Sequence, residues 1–427
     1  MKRVLQVMLA LVLLVSAGAG VLVYLTEREP LQPGVPVADV PAQVARGKYL
    51  ALAGNCVACH TVRGGAAYAG GREVRTPFGS IYASNLTPDA QTGIGAWSAD
   101  DFWRALHHGK SKDGRLLYPA FPYPNYTLVT RADADALFAY LRTVTPVTRA
   151  NRAHELRVPY DQPALLLGWR ALYFKPGSYQ PQLRQSDEWN RGAYLVQGLG
   201  HCNACHTARD PLGGSDLKRD LAGAMIPVLG WYAPALTSDA NTGAGAWQPH
   251  EMMSLLKTGV SMRGAVYGPM SEVVYKSLQH LDDADLQAMV AYMKSLPADA
   301  APAPPAEQLA KEDLERIMAK GGKLYEKHCA SCHAADGAGY PPAYPPLAGN
   351  RSLHMPTAAN PIRLVLHGGY PPGTAGNPRP YGMPPFRSAL SNEEVALVLT
   401  YVRKAWGNQG AVVAPFEVSR YEAVPLD

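Results

Sequence analysis

All six cysteines of this chain fall in a Cys-x-x-Cys-His group: Cys56-Val-Ala-Cys59-His60, Cys202-Asn-Ala-Cys205-His206 and Cys329-Ala-Ser-Cys332-His333. Residues three and four apart share one face of a helical turn. Two thiols at that spacing reach both vinyl groups of one porphyrin, and the histidine that follows sets a ring nitrogen on its iron. The pattern reads as covalent attachment of c-type haem. A structural zinc site or a thioredoxin-like pair accounts for an isolated CxxC. Neither accounts for a histidine directly after each of three pairs. Cys56, Cys59, Cys202, Cys205, Cys329 and Cys332 are therefore read as the attachment points of three covalently bound haems c, with His60, His206 and His333 as proximal ligands. No cysteine remains for a disulfide, so packing must hold the body together.

A chain of 427 residues has room for about three domains of the usual ~100–150 residues, one for each haem group. Its net charge of +5 is spread without a long basic run, which argues against nucleic acid as a partner. The start carries Lys2 and Arg3, then an uncharged run from Val4 to Leu25. That is long enough to cross a bilayer, with the basic end on the cytoplasmic side. Ala17-Gly18-Ala19 would also serve as a signal cleavage site. Residues 1–28 are thus expected to be a membrane anchor or a signal peptide. Either way the body is exported, to the periplasmic face of a bacterial inner membrane.

Self-comparison shows three copies of one unit. "RGKYLALAGNC", "RGAYLVQGLGHC" and "GGKLYEKHC" precede the haem groups. The first two copies share a middle segment, "TPDAQTGIGAW" and "TSDANTGAGAW". Each copy closes with an amphipathic helix carrying Tyr140, Tyr292 or Tyr401, and the last of these opens on the capping box Ser391-Asn-Glu-Glu394. The expected division is 40–150, a connecting segment over 151–184, then 185–297. An Ala/Pro-rich linker over 298–311 follows, then 312–408 and a tail over 409–427. Within the connecting segment, "QPALLLGWRALYFKPG" is apolar and helical in pattern. It is too short to span a membrane and is expected to pack the first unit onto the second.

"RGKYLALAGNCVACHTVRGG", "TPFGSIYASNLTPDAQTGIGAWSADDFWRALHHG", "DGRLLYPAFPYPNY" and "EWNRGAYLVQGLGHCNACHT" closely resemble the three-haem cytochrome c subunits of bacterial periplasmic dehydrogenases, from about residue 42 to 405. The fold this implies is mainly α: three tandem class I cytochrome c domains after an N-terminal transmembrane or signal helix. The resemblance also implies an electron-transfer subunit. Its catalytic partner would be a flavoprotein, a quinoprotein or a molybdenum hydroxylase, and its acceptor ubiquinone or another respiratory carrier. The chain carries no G-x-G-x-x-G turn, P-loop or G-x-S-x-G elbow of its own.

In that family the second axial ligand is usually a methionine thioether, which raises the potential. Met270 in "YGPMSE" and Met383 in "YGMPPF" match the loops that present it. In the first unit the matching residue is Phe121, which cannot donate to iron, and no methionine lies between Met8 and Met225. Three outcomes are open. His107, standing where the family often has arginine, takes the site, with His108 as a weaker choice. Alternatively the iron is left open behind Phe121. Otherwise a partner or a distant group such as Lys110 or Lys112 supplies the ligand. An open iron would also suit a peroxidase-like haem enzyme, the alternative function.

Overall fold

The computed structural model describes residues 40–298 and 309–423, with scattered positions near the N-terminus. The helices that matter here are α1 (Val40–Ala53), α2 (Ala99–His108), α3 (Arg131–Leu141), α4 (Pro163–Tyr173), α5 (Asp187–Ala193), α6 (Pro249–Thr258), α7 (Pro269–Lys276), α8 (Asp283–Ser295), α9 (Lys311–His328), α10 (Ala359–His367) and α11 (Asn392–Lys404). Short antiparallel strands fill the loops, among them Glu73–Thr76 with Gly79–Tyr82, and Ala224–Ile226 with Trp231–Ala233. The chain is mainly helical, as expected. Most of the anchor or signal segment 1–28 and of the 298–311 linker lie outside the described residues. Among the described residues no helix is long and apolar enough to cross a membrane.

Each unit is built on one helix crossing: α1 on α3, α5 on α8, and α9 on α11. Glycine sets how close the helices come. A Cβ on Gly47 would stand 1.9 Å from the Ala136 carbonyl oxygen, one on Gly192 would stand 1.9 Å from that of Ala288, and one on Gly321 would stand 2.4 Å from that of Leu397. The matched tyrosines Tyr140, Tyr292 and Tyr401 pack over the same three glycines, with Cβ atoms 2.8, 2.9 and 2.8 Å from the added position. Caps start the helices where the sequence places them. Ser98 and Asp101 form a reciprocal box on α2, Thr130 accepts from Asp133 N–H on α3, and Ser391 with Glu394 closes the expected box on α11.

The first two units are locked together by a reciprocal exchange. Arg46 pairs with Asp133 (2.7 Å) and Arg191 pairs with Asp285 through two bonds (2.8 and 2.6 Å). Tyr49 of the first unit donates to Asp285 of the second (2.6 Å), and Tyr194 of the second donates to Asp133 of the first (2.7 Å). A fork between Arg72 and Glu272 (2.5 and 2.7 Å) adds to the junction. One apolar core runs through both units, from Leu50 and Leu137 to Leu195 and Leu286. The third has its own core around Val395, Leu399 and Ile362. It is fastened to the second by Asn360, which donates to the Tyr232 carbonyl and accepts from its N–H (both 2.8 Å), and by Thr374 donating to the Thr258 carbonyl (2.9 Å). Helix α4 ties the first unit to the second: Arg170 donates to the His108 carbonyl (2.7 Å) and Trp169 to that of Leu212 (3.1 Å).

Burial raises the Asp285 carboxyl's pKa, but the Arg191 and Tyr49 hydrogen bonds outweigh it and the net value lies below the usual carboxylate range. A depressed folded value contributes stability that is present above the unfolded pKa of ~3.9 and is lost as pH falls through the folded one. Asp285→Asn is expected to cost about 1.5–3 kcal/mol at neutral pH, as charged hydrogen bonds do. Its stability should also fall less on acidification below pH ~4 than that of the unaltered chain. Urea denaturation across pH checks both, and parallel acid limbs for the two proteins would contradict the assignment.

Candidate haem-binding sites

Each haem group sits on a single helical turn: Cys56–Cys59, Asn203–His206 and Ala330–His333. The chain enters the first two through a left-handed residue, Asn55 at φ 50° and His201 at φ 40°. Burial pushes the Cys56 and Cys202 thiols up to about 12 and the Cys329 thiol up to about 11. Such thiols stay protonated, unlike the low-pKa thiolates of a redox pair.

The three histidines are held alike. His60 Nδ1 lies 2.7 Å from the Ser84 carbonyl oxygen, His206 Nδ1 2.7 Å from that of Pro234, and His333 Nδ1 3.0 Å from that of Pro345. A carbonyl oxygen only accepts, so Nδ1 carries the proton in each case and Nε2 keeps its lone pair for a metal. Burial lowers all three, His206 to about 4, so the rings are neutral at physiological pH. These carbonyls escaped the sequence reading. A signal for them exists: Ser84, Pro234 and Pro345 each stand two residues before a leucine, namely Leu86, Leu236 and Leu347.

In the second and third units these groups open onto one continuous cavity of about 470 Å³. Cys202, Cys205, His206 and Met270 line one part of it, and Cys329, Cys332, His333 and Met383 line the other. Trp247, Leu255, Leu256 and Leu353 add apolar wall. Two guanidiniums face the same space. Arg263 is paired with Glu251 (2.7 Å), and Arg351 of the third unit lies 4.8 Å from the ring centroid of Trp247 in the second. Burial pulls Arg351 down to about 10, so it remains charged. An apolar cleft with paired thiols, a neutral histidine, a thioether and two guanidiniums fits a porphyrin whose carboxylates need partners. Met252, Met289 and Met293 are buried in the shared core, and Met253 packs against it.

The first unit differs. Matching "TGIGAW" to "TGAGAW" pairs Ala105 and Leu106 with the cavity-lining Leu255 and Leu256, His107 with Lys257, and His108 with Thr258. His107 stacks on Trp103, with ring centroids 4.2 Å apart and planes 17° from parallel, and meets His108 edge-on at 4.7 Å. Its counterpart Lys257 reaches the Leu281 carbonyl and Asp283 (3.0 Å), at the start of α8. His107, one of the open choices of ligand, is itself buried, and its counterpart Lys257 is not among the residues that line the cavity. Phe121 packs against Tyr126 at 5.3 Å, at the edge of the shared core.

The family profile described as cytochrome c matches residues 44–145, 190–297 and 318–406. The chain is 40% identical over 385 residues to the gluconate 2-dehydrogenase cytochrome c subunit of Pantoea cypripedii, covering 86% of each. It is 37% identical over 412 residues to the cytochrome c subunit of the quinone-dependent alcohol dehydrogenase of Komagataeibacter europaeus, covering 90% of this chain and 86% of that one. It is also 41% identical over 368 residues to a nicotinate dehydrogenase subunit of Pseudomonas putida, covering 85% of this chain but 30% of that relative's length. With three profile matches falling on the three haem-attachment units, the chain belongs to the cytochrome c family.

Proposed function

We propose that this protein is the electron-transfer subunit of a bacterial dehydrogenase complex, carrying three covalent haems c. The observation that best supports this is the continuous cavity in which His206 with Met270 and His333 with Met383 face a shared space. Bound haem supplies a one-electron iron couple; the protein sets its potential and access. His60, His206 and His333, oriented through Nδ1, would hold the irons through Nε2, and Met270 and Met383 would supply thioether ligands. Arg263 and Arg351 would neutralise the carboxylates.

The second unit shares a core with the first and a cavity with the third. It is therefore the middle station of the relay, whichever end electrons enter. The relatives named above support a catalytic dehydrogenase as donor, whether flavoprotein, quinoprotein or molybdenum hydroxylase. Ubiquinone or another respiratory carrier is the acceptor, and the periplasmic face of the inner membrane is the site of action. The peroxidase-like alternative finds no support among those relatives, which are cytochrome subunits.

The test is a haem count with a redox titration. The alkaline pyridine spectrum should give three haems per chain, all reversibly reduced, with no turnover of peroxide. Two haems per chain, or peroxide turnover in the isolated protein, would contradict this reading.

A further inference from the structure

The first unit departs from the other two at the residue that decides coordination. Phe121 stands in the place of Met270 and Met383, and a phenyl ring has no lone pair to give to iron. The other polar side chains of its loop are committed elsewhere. Tyr118 lines a separate surface cavity with His154 and Tyr160, and burial pushes its hydroxyl up to about 12, so it is not a phenolate. Tyr123 is fully buried with its ring under Gly109, where an added Cβ would come within 2.6 Å of it. The Arg170 guanidinium lies 5.4 Å from the centre of that ring. Asn125 donates to the Gln197 carbonyl (2.6 Å) and to Asn203 (2.8 Å), and Tyr126 donates to the Gly54 carbonyl (3.3 Å). Lys112 donates to the Ala96 carbonyl. His107 is buried with its ring stacked on Trp103.

We propose that the first unit holds its haem with one protein ligand, His60. The Phe121 side is then a binding site for a small neutral π-acceptor molecule, of the carbon monoxide or nitric oxide class, on the ferrous iron. This rests on the reading that the first unit carries a haem, and it adds a ligand-binding activity to the relay. Phe121 is half-buried, its ring tilted 52° against Tyr126. The second and third sites, where a thioether would occupy the distal side, would be closed to carbon monoxide.

The experiment uses the full chain with its haems, counted first, then reduced with dithionite and titrated with carbon monoxide. The expected uptake is one molecule for every three haems. Phe121→Met should abolish uptake and add a third thioether-to-iron charge-transfer band to the oxidised spectrum. Met270→Leu, as a positive control, should raise uptake to two. Absence of uptake in the unaltered chain would overturn the proposal, and so would uptake that persists in Phe121→Met. A bis-imidazole EPR signal that disappears in His107→Ala would also overturn it. Three haems with no uptake defeats this proposal alone, whereas a count of two defeats the three-haem reading and this proposal with it.

Discussion

Met270→Leu is expected to break the relay in its middle while leaving the fold in place. The swap conserves side-chain volume and should cost under ~1.5 kcal/mol of stability. It removes the only sulfur that Pro269–Lys276 presents to the cavity opposite His206. The loop is not free to offer a substitute, because Gly268 holds φ 57° with the Trp231 ring 2.5 Å from where a Cβ would be. Loss of the thioether should lower the potential of the middle haem by a sizeable part of the ~0.8 V over which axial ligands set haem potentials. Because the second unit lies between the other two, electrons entering at one end would then stall before the other. Stopped-flow reduction by a slow-entering donor should show one haem reduced at the native rate and the rest lagging. Unchanged kinetics for all three would mean either that Met270 is not a ligand or that the units do not act in series.

Gly192→Ala should be among the most damaging single changes for stability. Alanine is the better helix former by ~1 kcal/mol, so propensity alone predicts a gain. Its Cβ, however, would lie 1.9 Å from the Ala288 carbonyl oxygen, a backbone atom that cannot rotate away. Helices α5 and α8 must separate, and they belong to the core shared with the first unit. Overpacking of this kind costs about 1–3 kcal/mol, with the upper part of that range expected here. Gly168→Ala on the exposed helix α4 is the matched control: nothing lies within 4 Å of its added Cβ, so propensity should prevail and stability should hold or rise by up to ~1 kcal/mol. Thermal unfolding of the two variants, side by side, decides it. A Gly192→Ala protein as stable as the control would show that the crossing is looser than described.

What the chain determined by itself is what depends on neighbours three or four residues apart. The CxxCH turns are such features, and so are the caps at Ser98 and Ser391 and the glycine one step before Lys48 or Ala193. Short-range geometry follows from covalent spacing. The tertiary structure decided which groups meet across the units. Tyr49 finds Asp285, and Tyr194 finds Asp133. Arg351 crosses from the third unit to Trp247 of the second, and three backbone carbonyls fix the histidine rings. His107 shows the limit most plainly. Its sequence position leaves it one of several possible ligands, and only the packing of α2 shows it buried and stacked on Trp103. Rotation about a helix axis, and the docking of one unit on another, come from packing of surfaces distant in sequence, and no local pattern encodes them.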